Sequence, residues 1–137
     1  MKPYRVVVTG SRTWTDQDTI FGALDLIAEA ARKVGAPLIV AHGNARGADT
    51  LAEEWVLKRK ADGWPVEVQR YPAEWAQYGR RAGYLRNARM LKPGADVVLA
   101  FILDGSKGAS QCAALAEAEG IPTQRIERFS EGSDTRG

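Results

Sequence analysis

Hydrophobic positions along the chain alternate between short continuous runs and longer stretches with a helical period. Continuous runs of Val, Leu, Ile and Phe are typical of strands that are buried on both faces of a sheet. The sequence has three such runs, at 6–8, 37–41 and 96–101. Polar and apolar residues instead alternate at 65–70, as in an edge strand, and a short fifth strand is expected at 123–126.

Between these strands, apolar residues recur at intervals of three and four, which buries one face of a helix. We expect helices at about 16–34, 48–60, 80–91 and 109–119, the third of them preceded by a loop. Val34 is expected on the buried face of the first helix, and Cys112 on the inward face of the last. A Cys in that position is more typical of packing than of a nucleophile.

This alternation of strands and helices predicts an α/β fold: a single doubly wound, Rossmann-like domain. We expect a five-stranded, mainly parallel sheet of order 3-2-1-4-5 with helices on both faces. The domain should cover residues 1–127, followed by a flexible tail at 128–137, which is polar and lacks periodicity. In this order the loops at 10–16 and 102–108 flank one crevice, and the loop at 42–47 adjoins them.

Composition narrows the class of protein. A length of 137 residues fits one domain, and no apolar run approaches the roughly 20 residues needed to span a bilayer. No signal peptide is recognisable, so we expect a cytoplasmic protein without membrane contact. The single Cys excludes an internal disulfide, and no Cys/His cluster suggests a metal. A net charge of +2 is too small to indicate nucleic-acid binding by itself.

The three loops of the crevice have the chemistry of an anion site. Glycines allow close approach of a ligand, helix starts present free amides, and Ser and Arg add hydroxyl and forked charge-assisted hydrogen bonds. Neither a Gly-x-Gly-x-x-Gly fingerprint nor a Walker loop is present, which disfavours ordinary NAD enzymes and P-loop ATPases. We expect ligand contacts from Gly10, Ser11, Arg12, Gly43, Asn44, Ala45, Arg46, Gly47, Gly105, Ser106, Lys107 and Gly108.

The segment 73–92 interleaves aromatic residues with arginines, and two interpretations of it stay open. In one it is a solvated helix face. In the other Arg86, with Arg81 or Arg89, reaches the crevice as a phosphate clamp, and the aromatic rings suit stacking on bases. His42, the only histidine, is expected to be a hydrogen-bonding structural residue, because no nucleophile elbow accompanies it.

Four motifs together resemble the SLOG superfamily of Rossmann-like proteins. They are Val8-Thr9-Gly10-Ser11-Arg12, His42-Gly43-Asn44-Ala45-Arg46-Gly47-Ala48-Asp49, Arg86-Asn87-Ala88-Arg89-Met90 and Asp104-Gly105-Ser106-Lys107-Gly108-Ala109. This superfamily includes the DNA-processing protein DprA/Smf and the cytokinin-activating "lonely guy" phosphoribohydrolases. The order and spacing of the motifs resemble its small YspA-like branch, and the resemblance covers nearly the whole chain except the tail.

The resemblance implies that the crevice binds a nucleotide or a nucleotide derivative. The first two motifs are similar to segments with which DprA binds single-stranded DNA, and this similarity adds Asp49 to the expected site. The last two are similar to phosphoribohydrolase segments in which an arginine and a glutamate support cleavage of a base from ribose phosphate. Arg86 and Asn87 fall in the arginine segment, but Cys112 falls on the glutamate. This departure weakens the case for hydrolysis, because a carboxylate stabilises the cationic sugar and a cysteine does not.

Three hypotheses follow from these motifs. The first is a binding domain for a phosphorylated nucleoside or an ADP-ribose-like ligand, with no further cofactor. The second is a phosphoribohydrolase-type N-glycosidase, with candidate catalytic residues Arg86, Glu74 and Asp104; either acid would replace the missing glutamate. The third is a DprA-like binder of single-stranded nucleic acid. The resemblance also suggests a homodimer.

Overall fold

Strand β1 (Tyr4–Gly10) forms the centre of the sheet in the computed structural model, which describes residues 2–130. The other strands are β2 (Leu38–His42), β3 (Val66–Arg70), β4 (Val97–Leu103) and β5 (Thr123–Arg128). Their order is β3-β2-β1-β4-β5, and all four strand pairings are parallel. The predicted order and the doubly wound α/β class are confirmed.

Helices cover both faces of the sheet. They are α1 (Gln17–Lys33), α2 (Ala48–Ala61), α3 (Trp75–Tyr78), α4 (Ala82–Leu91) and α5 (Lys107–Ala118), with a 3₁₀ turn at Gly79–Arg81 between α3 and α4. Val6 and Val8 pack with α1 and α2, whereas Val7 packs with α4 and α5. Since successive side chains of a strand face opposite sides, the continuous valine run of β1 fills both cores.

Two boundaries differ from the sequence prediction. Val34 is 62% exposed and not on the buried face, because α1 ends at Lys33 and the C-cap residue leaves the helical period. The loop after β4 is shorter than predicted, since Leu103 still pairs with β5 and α5 begins at Lys107. Lys107 and Gly108 therefore belong to the first helical turn and not to the loop.

The segment before α4 also differs from the prediction. It forms α3 and the 3₁₀ turn in place of a plain loop, so that the predicted helix begins at Ala82. At the other end of the chain, the boundary expected at 127 lies within β5, which continues to Arg128. Residues 131–137 of the expected tail lie outside the described residues. No helix within residues 2–130 is long and apolar enough to cross a membrane.

Candidate functional site

The loops after β1, β2 and β4 meet at the carboxyl ends of the strands, because β1 lies between β2 and β4. Together with α3 and α4 they line a cleft of about 420 Å³. This position is the switch point at which doubly wound sheets bind ligands. The predicted site residues that line the cleft are Gly10, Ser11, Arg12, Gly43, Ala45, Asp49, Arg86, Asn87, Ser106 and Gly108.

Two glycines allow the first two loops to pack backbone against backbone. A Cβ atom at Gly10 would lie closer than 3.0 Å to Ala48 and to the Phe101 carbonyl oxygen. Gly47 has φ +74°, and a Cβ atom there would lie closer than 3.0 Å to the Ser11 carbonyl oxygen. That same oxygen accepts a hydrogen bond from the Ala48 amide at 3.3 Å. Gly47 therefore allows the β1 and β2 loops to pack closely together, but it does not itself line the cleft.

Ser11 connects the β1 loop to the end of β4. Its hydroxyl oxygen accepts a hydrogen bond from the Leu103 amide at 2.7 Å, and its own amide donates to the Phe101 carbonyl at 2.9 Å. The side chain is buried. Its hydroxyl thus already has a structural partner, and it fixes the spacing of two loops that line the cleft.

Arg86 projects from α4 onto the β2 loop. Its Nη1 atom donates to the carbonyl oxygens of Gly43 and Tyr71, the latter at 3.4 Å. A Cβ atom at residue 43 would overlap the guanidinium group, so glycine is needed there to admit Arg86. The Arg86 hydrogen bonds within residues 2–130 use Nε and Nη1 and leave Nη2 for a ligand.

Asn87 lines the cleft and links α4 to α5. Its Oδ1 atom accepts from Arg86 Nε at 2.9 Å, and its Nδ2 atom donates to Gln111 Oε1 at 2.7 Å. Asn87 is buried, and Gln111 lines the cleft. The two residues therefore hold Arg86 in a fixed orientation.

Asp49 lies in the first turn of α2, is 4% exposed and lines the cleft. Its Oδ2 atom accepts hydrogen bonds from the amides of Gly43 at 3.1 Å and Ala45 at 3.2 Å. Its Oδ1 atom has no hydrogen-bond partner within residues 2–130. Burial raises the pKa of Asp49 to about 7, against the lowering effect of the two amides and of the charges of Arg86 and Arg12.

Aromatic and basic side chains form the outer wall of the cleft. The Arg12 guanidinium lies 5.5 Å from the centre of the Trp75 ring, a distance typical of a cation–π contact. Trp75, Arg80 and Tyr84 all line the cleft, and all three are exposed. This arrangement favours the interpretation in which the segment faces the crevice over the one in which it is a solvated helix face.

Arg81 and Arg89, the other two clamp candidates, do not line this cleft. Arg89 instead donates to the Pro72 carbonyl at 3.1 Å. The remaining predicted ligand residues also lie off the cleft. Asn44 and Arg46 are exposed and border an adjoining groove with Arg12 and Trp75, whereas Gly105 and Lys107 line neither space.

The carboxylates proposed to replace the hydrolase glutamate lie outside the lining of the cleft. Glu74 pairs with Arg89 at 3.8 Å, and Asp104 accepts a hydrogen bond from the Ser130 amide at 2.8 Å. Cys112 is fully buried, and burial raises the pKa of its thiol to about 11, so it remains protonated at neutral pH. Asp49 is the only acidic residue among the described residues that line the cleft.

His42 has the structural role expected for it. Its Nδ1 atom accepts from the Asn44 amide at 2.9 Å, so the other ring nitrogen, Nε2, carries the proton and donates to Glu53 at 2.8 Å. Burial lowers the pKa of His42 and keeps the ring neutral. The residue shapes the β2 loop and does not line the cleft.

Several cleft residues escaped the sequence reasoning, notably Trp75, Arg80, Tyr84 and Gln111. The first three belong to the aromatic and basic segment that the sequence singled out. Trp75 and Arg80 lie on a four-residue helix and a 3₁₀ turn, which are too short for a periodic pattern to orient them. Gln111 lies three residues after Gly108 and thus on the same helix face, but this relation appears only once Gly108 is placed inside α5.

Comparison with known proteins identifies two similarities. Residues 4–78 match the model of a family described as the YspA, cpYpsA-related SLOG family. This range contains β1 to α3 and hence the first two loops of the cleft. The chain is also 42% identical over 118 residues to the Gene 61 protein of Mycobacterium phage D29, an alignment that covers 86% of this chain and 92% of that protein.

Proposed function

The chain belongs to the YspA, cpYpsA-related SLOG family, and from this premise we propose that its cleft binds a nucleotide or a nucleotide derivative. The expected ligands are a phosphorylated nucleoside or an ADP-ribose-like molecule. The observation that supports the proposal is that two kinds of binding group line the same cleft. Anion-binding groups lie beside exposed aromatic rings, and a nucleotide presents a phosphate and a base.

The phosphate would bind between the β1 loop and the start of α5. The first amides of a helix have no intrahelical partner, and the Ser106 side chain makes no capping hydrogen bond to them. The hydroxyl of Ser106 and these amides are therefore open to an anion, with the positive end of the helix dipole behind them. Gly108 adds no side chain to obstruct the approach.

The charges that line the cleft favour an anionic ligand. Arg12, Arg80 and Arg86 contribute three cations, against the single carboxylate of Asp49. Arg12 is exposed, so its guanidinium group can move away from the Trp75 ring to contact a phosphate. It can also stay on the ring while a base stacks against the same ring. The volume of about 420 Å³ lies within the range of small-molecule sites.

Calorimetry against a panel of nucleoside mono- and diphosphates and ADP-ribose tests the proposal. We expect Arg12→Ala to weaken the affinity about tenfold, the loss typical of one charge-assisted hydrogen bond. Arg32→Ala is the matched control, because Arg32 is an exposed arginine near the end of α1 that pairs with Glu29. If no compound of the panel changes the heat or the melting temperature at millimolar concentration, the proposal fails.

Asp49 supports a second candidate function, N-glycosidic hydrolysis of a nucleoside monophosphate. In this reaction the bond between sugar and base breaks, the oxygen of water bonds to the sugar carbon, and the departing base takes a proton. A carboxylate stabilises the positive charge that develops on the sugar. Chromatography of nucleoside monophosphates after incubation with the protein tests this function; it is excluded if no free base appears.

A further inference from the structure

The oxygen of Asp49 that lacks a partner limits what the bound ligand can be. A buried polar atom without a hydrogen bond is rare, because losing water without replacement is unfavourable. Asp49 Oδ1 has less than 1 Å² exposed and no partner within residues 2–130, although Asp49 lines the cleft. An occupant that supplies a hydrogen-bond donor would remove this deficit.

We propose that Asp49 Oδ1 accepts a hydrogen bond from a ribose hydroxyl of the ligand, so that the cleft selects ribonucleotides over deoxyribonucleotides. This inference rests on the proposed function and specifies the sugar that the same site takes. Above its pKa of about 7 the Asp49 carboxyl group is ionised, and in this form it accepts hydrogen bonds and repels phosphate. Its partner must be a donor group of the ligand.

The position of Asp49 favours a sugar over a base as that partner. The groups proposed to bind phosphate lie at the β1 loop and at the start of α5, whereas the exposed side chains of Trp75 and Tyr84 lie on α3 and α4. Asp49 is instead buried in the first turn of α2. In a nucleotide the sugar is the part between phosphate and base, and its hydroxyls are its donors.

The oxygen is held in place for this role. The Gly43 and Ala45 amides both donate to Oδ2, which fixes the carboxylate and leaves Oδ1 as the remaining acceptor. Burial raises the pKa of Asp49, and the charges of Arg12 and Arg86 act against this rise and favour the ionised form. Arg12 is exposed and lines the same cleft, so its side chain can move as a ligand hydroxyl approaches Oδ1.

The test compares the affinities of AMP, 2′-deoxyAMP and 3′-deoxyAMP by calorimetry at pH 8. We expect at least one deoxy compound to bind about 10- to 100-fold more weakly than AMP, as for loss of a hydrogen bond to a charged group. Asp49→Asn should reduce this preference to less than about fivefold. Its amide keeps an oxygen for the Gly43 and Ala45 amides, but the uncharged NH₂ group in place of Oδ1 makes only a weaker, neutral hydrogen bond with the hydroxyl.

Two further variants make the result decisive. Asp49→Glu shifts the carboxylate by one methylene group and should also lose the preference, which covers the case in which the Asn variant does not fold. Asp62→Asn, at the exposed C-cap of the same helix, should retain the wild-type ratio. Equal binding of all three nucleotides to the wild type, or an unchanged preference in Asp49→Asn, overturns the inference and leaves the proposed function standing. Binding of none of the three overturns the inference, and the proposed function is overturned as well if the diphosphates and ADP-ribose of the panel also fail to bind.

Discussion

The buried carboxylate of Asp49 should make the stability of the protein depend on pH. Its pKa is about 7 in the folded protein and 3.8 in a model compound, so the folded state holds a proton that the unfolded chain releases. The contribution of Asp49 to the free energy of unfolding is therefore highest below about pH 3.8. It decreases as the pH rises and becomes constant above about pH 7. At about 1.4 kcal/mol per pH unit, the loss across this window is about 4 kcal/mol.

Asp49→Asn removes this titration and keeps an oxygen for the Gly43 and Ala45 amides. Urea denaturation followed by circular dichroism, from pH 4 to pH 8, measures the free energy of unfolding of both proteins. The free energy of unfolding of the variant minus that of the wild type should increase by about 4 kcal/mol between pH 4 and pH 8, most of it below pH 7. Other titrating groups, such as His42 and Glu53, cancel in this difference. A difference that is independent of pH, or that decreases as pH rises, refutes the reasoning.

Three other predictions concern the loops, the buried thiol and the aromatic wall. Gly47→Ala should destabilise the fold by about 2–5 kcal/mol, because it combines a strained backbone with overlap on the β1 loop. Gly35→Ala, which has a similar positive φ but open space around it, should cost only about 1 kcal/mol; equal losses in denaturation experiments would contradict this account. Cys112 should react with an aromatic disulfide reagent only when the protein is unfolded, and rapid labelling of the native protein at pH 8 would show that its thiol is accessible. If the exposed rings bind single-stranded oligonucleotides, affinity should fall steeply with salt, and Trp75→Ala should weaken it by about 1–3 kcal/mol; undetectable or salt-independent binding excludes this third hypothesis.

The fold could be predicted from local patterns of apolar and polar residues in the sequence. The valine run of β1 is apolar on both faces, and that property alone requires helices on both sides of a parallel sheet. The order of the strands then places the β1 and β4 loops at one crevice. Element boundaries were less predictable. Gly108 resembled a loop residue, yet it lies in a first helical turn.

The properties of Asp49 could not be predicted in the same way. Its burial and its two amide donors depend on how the β2 loop folds back over the start of α2. The burial raises its pKa, against the lowering effect of Arg12 and Arg86, which are distant in sequence. Position 112 presents the opposite case. The sequence showed a cysteine where related hydrolases have glutamate, and the structure shows why it cannot substitute, since its thiol is buried and protonated.

A crystal structure of the protein grown with AMP tests the central claim most directly. We expect phosphate density between Gly10–Arg12 and the first turn of α5, with a ribose hydroxyl within hydrogen-bond distance of Asp49 Oδ1. Nucleotide density at another surface, or a cleft without nucleotide at saturating AMP, would contradict it.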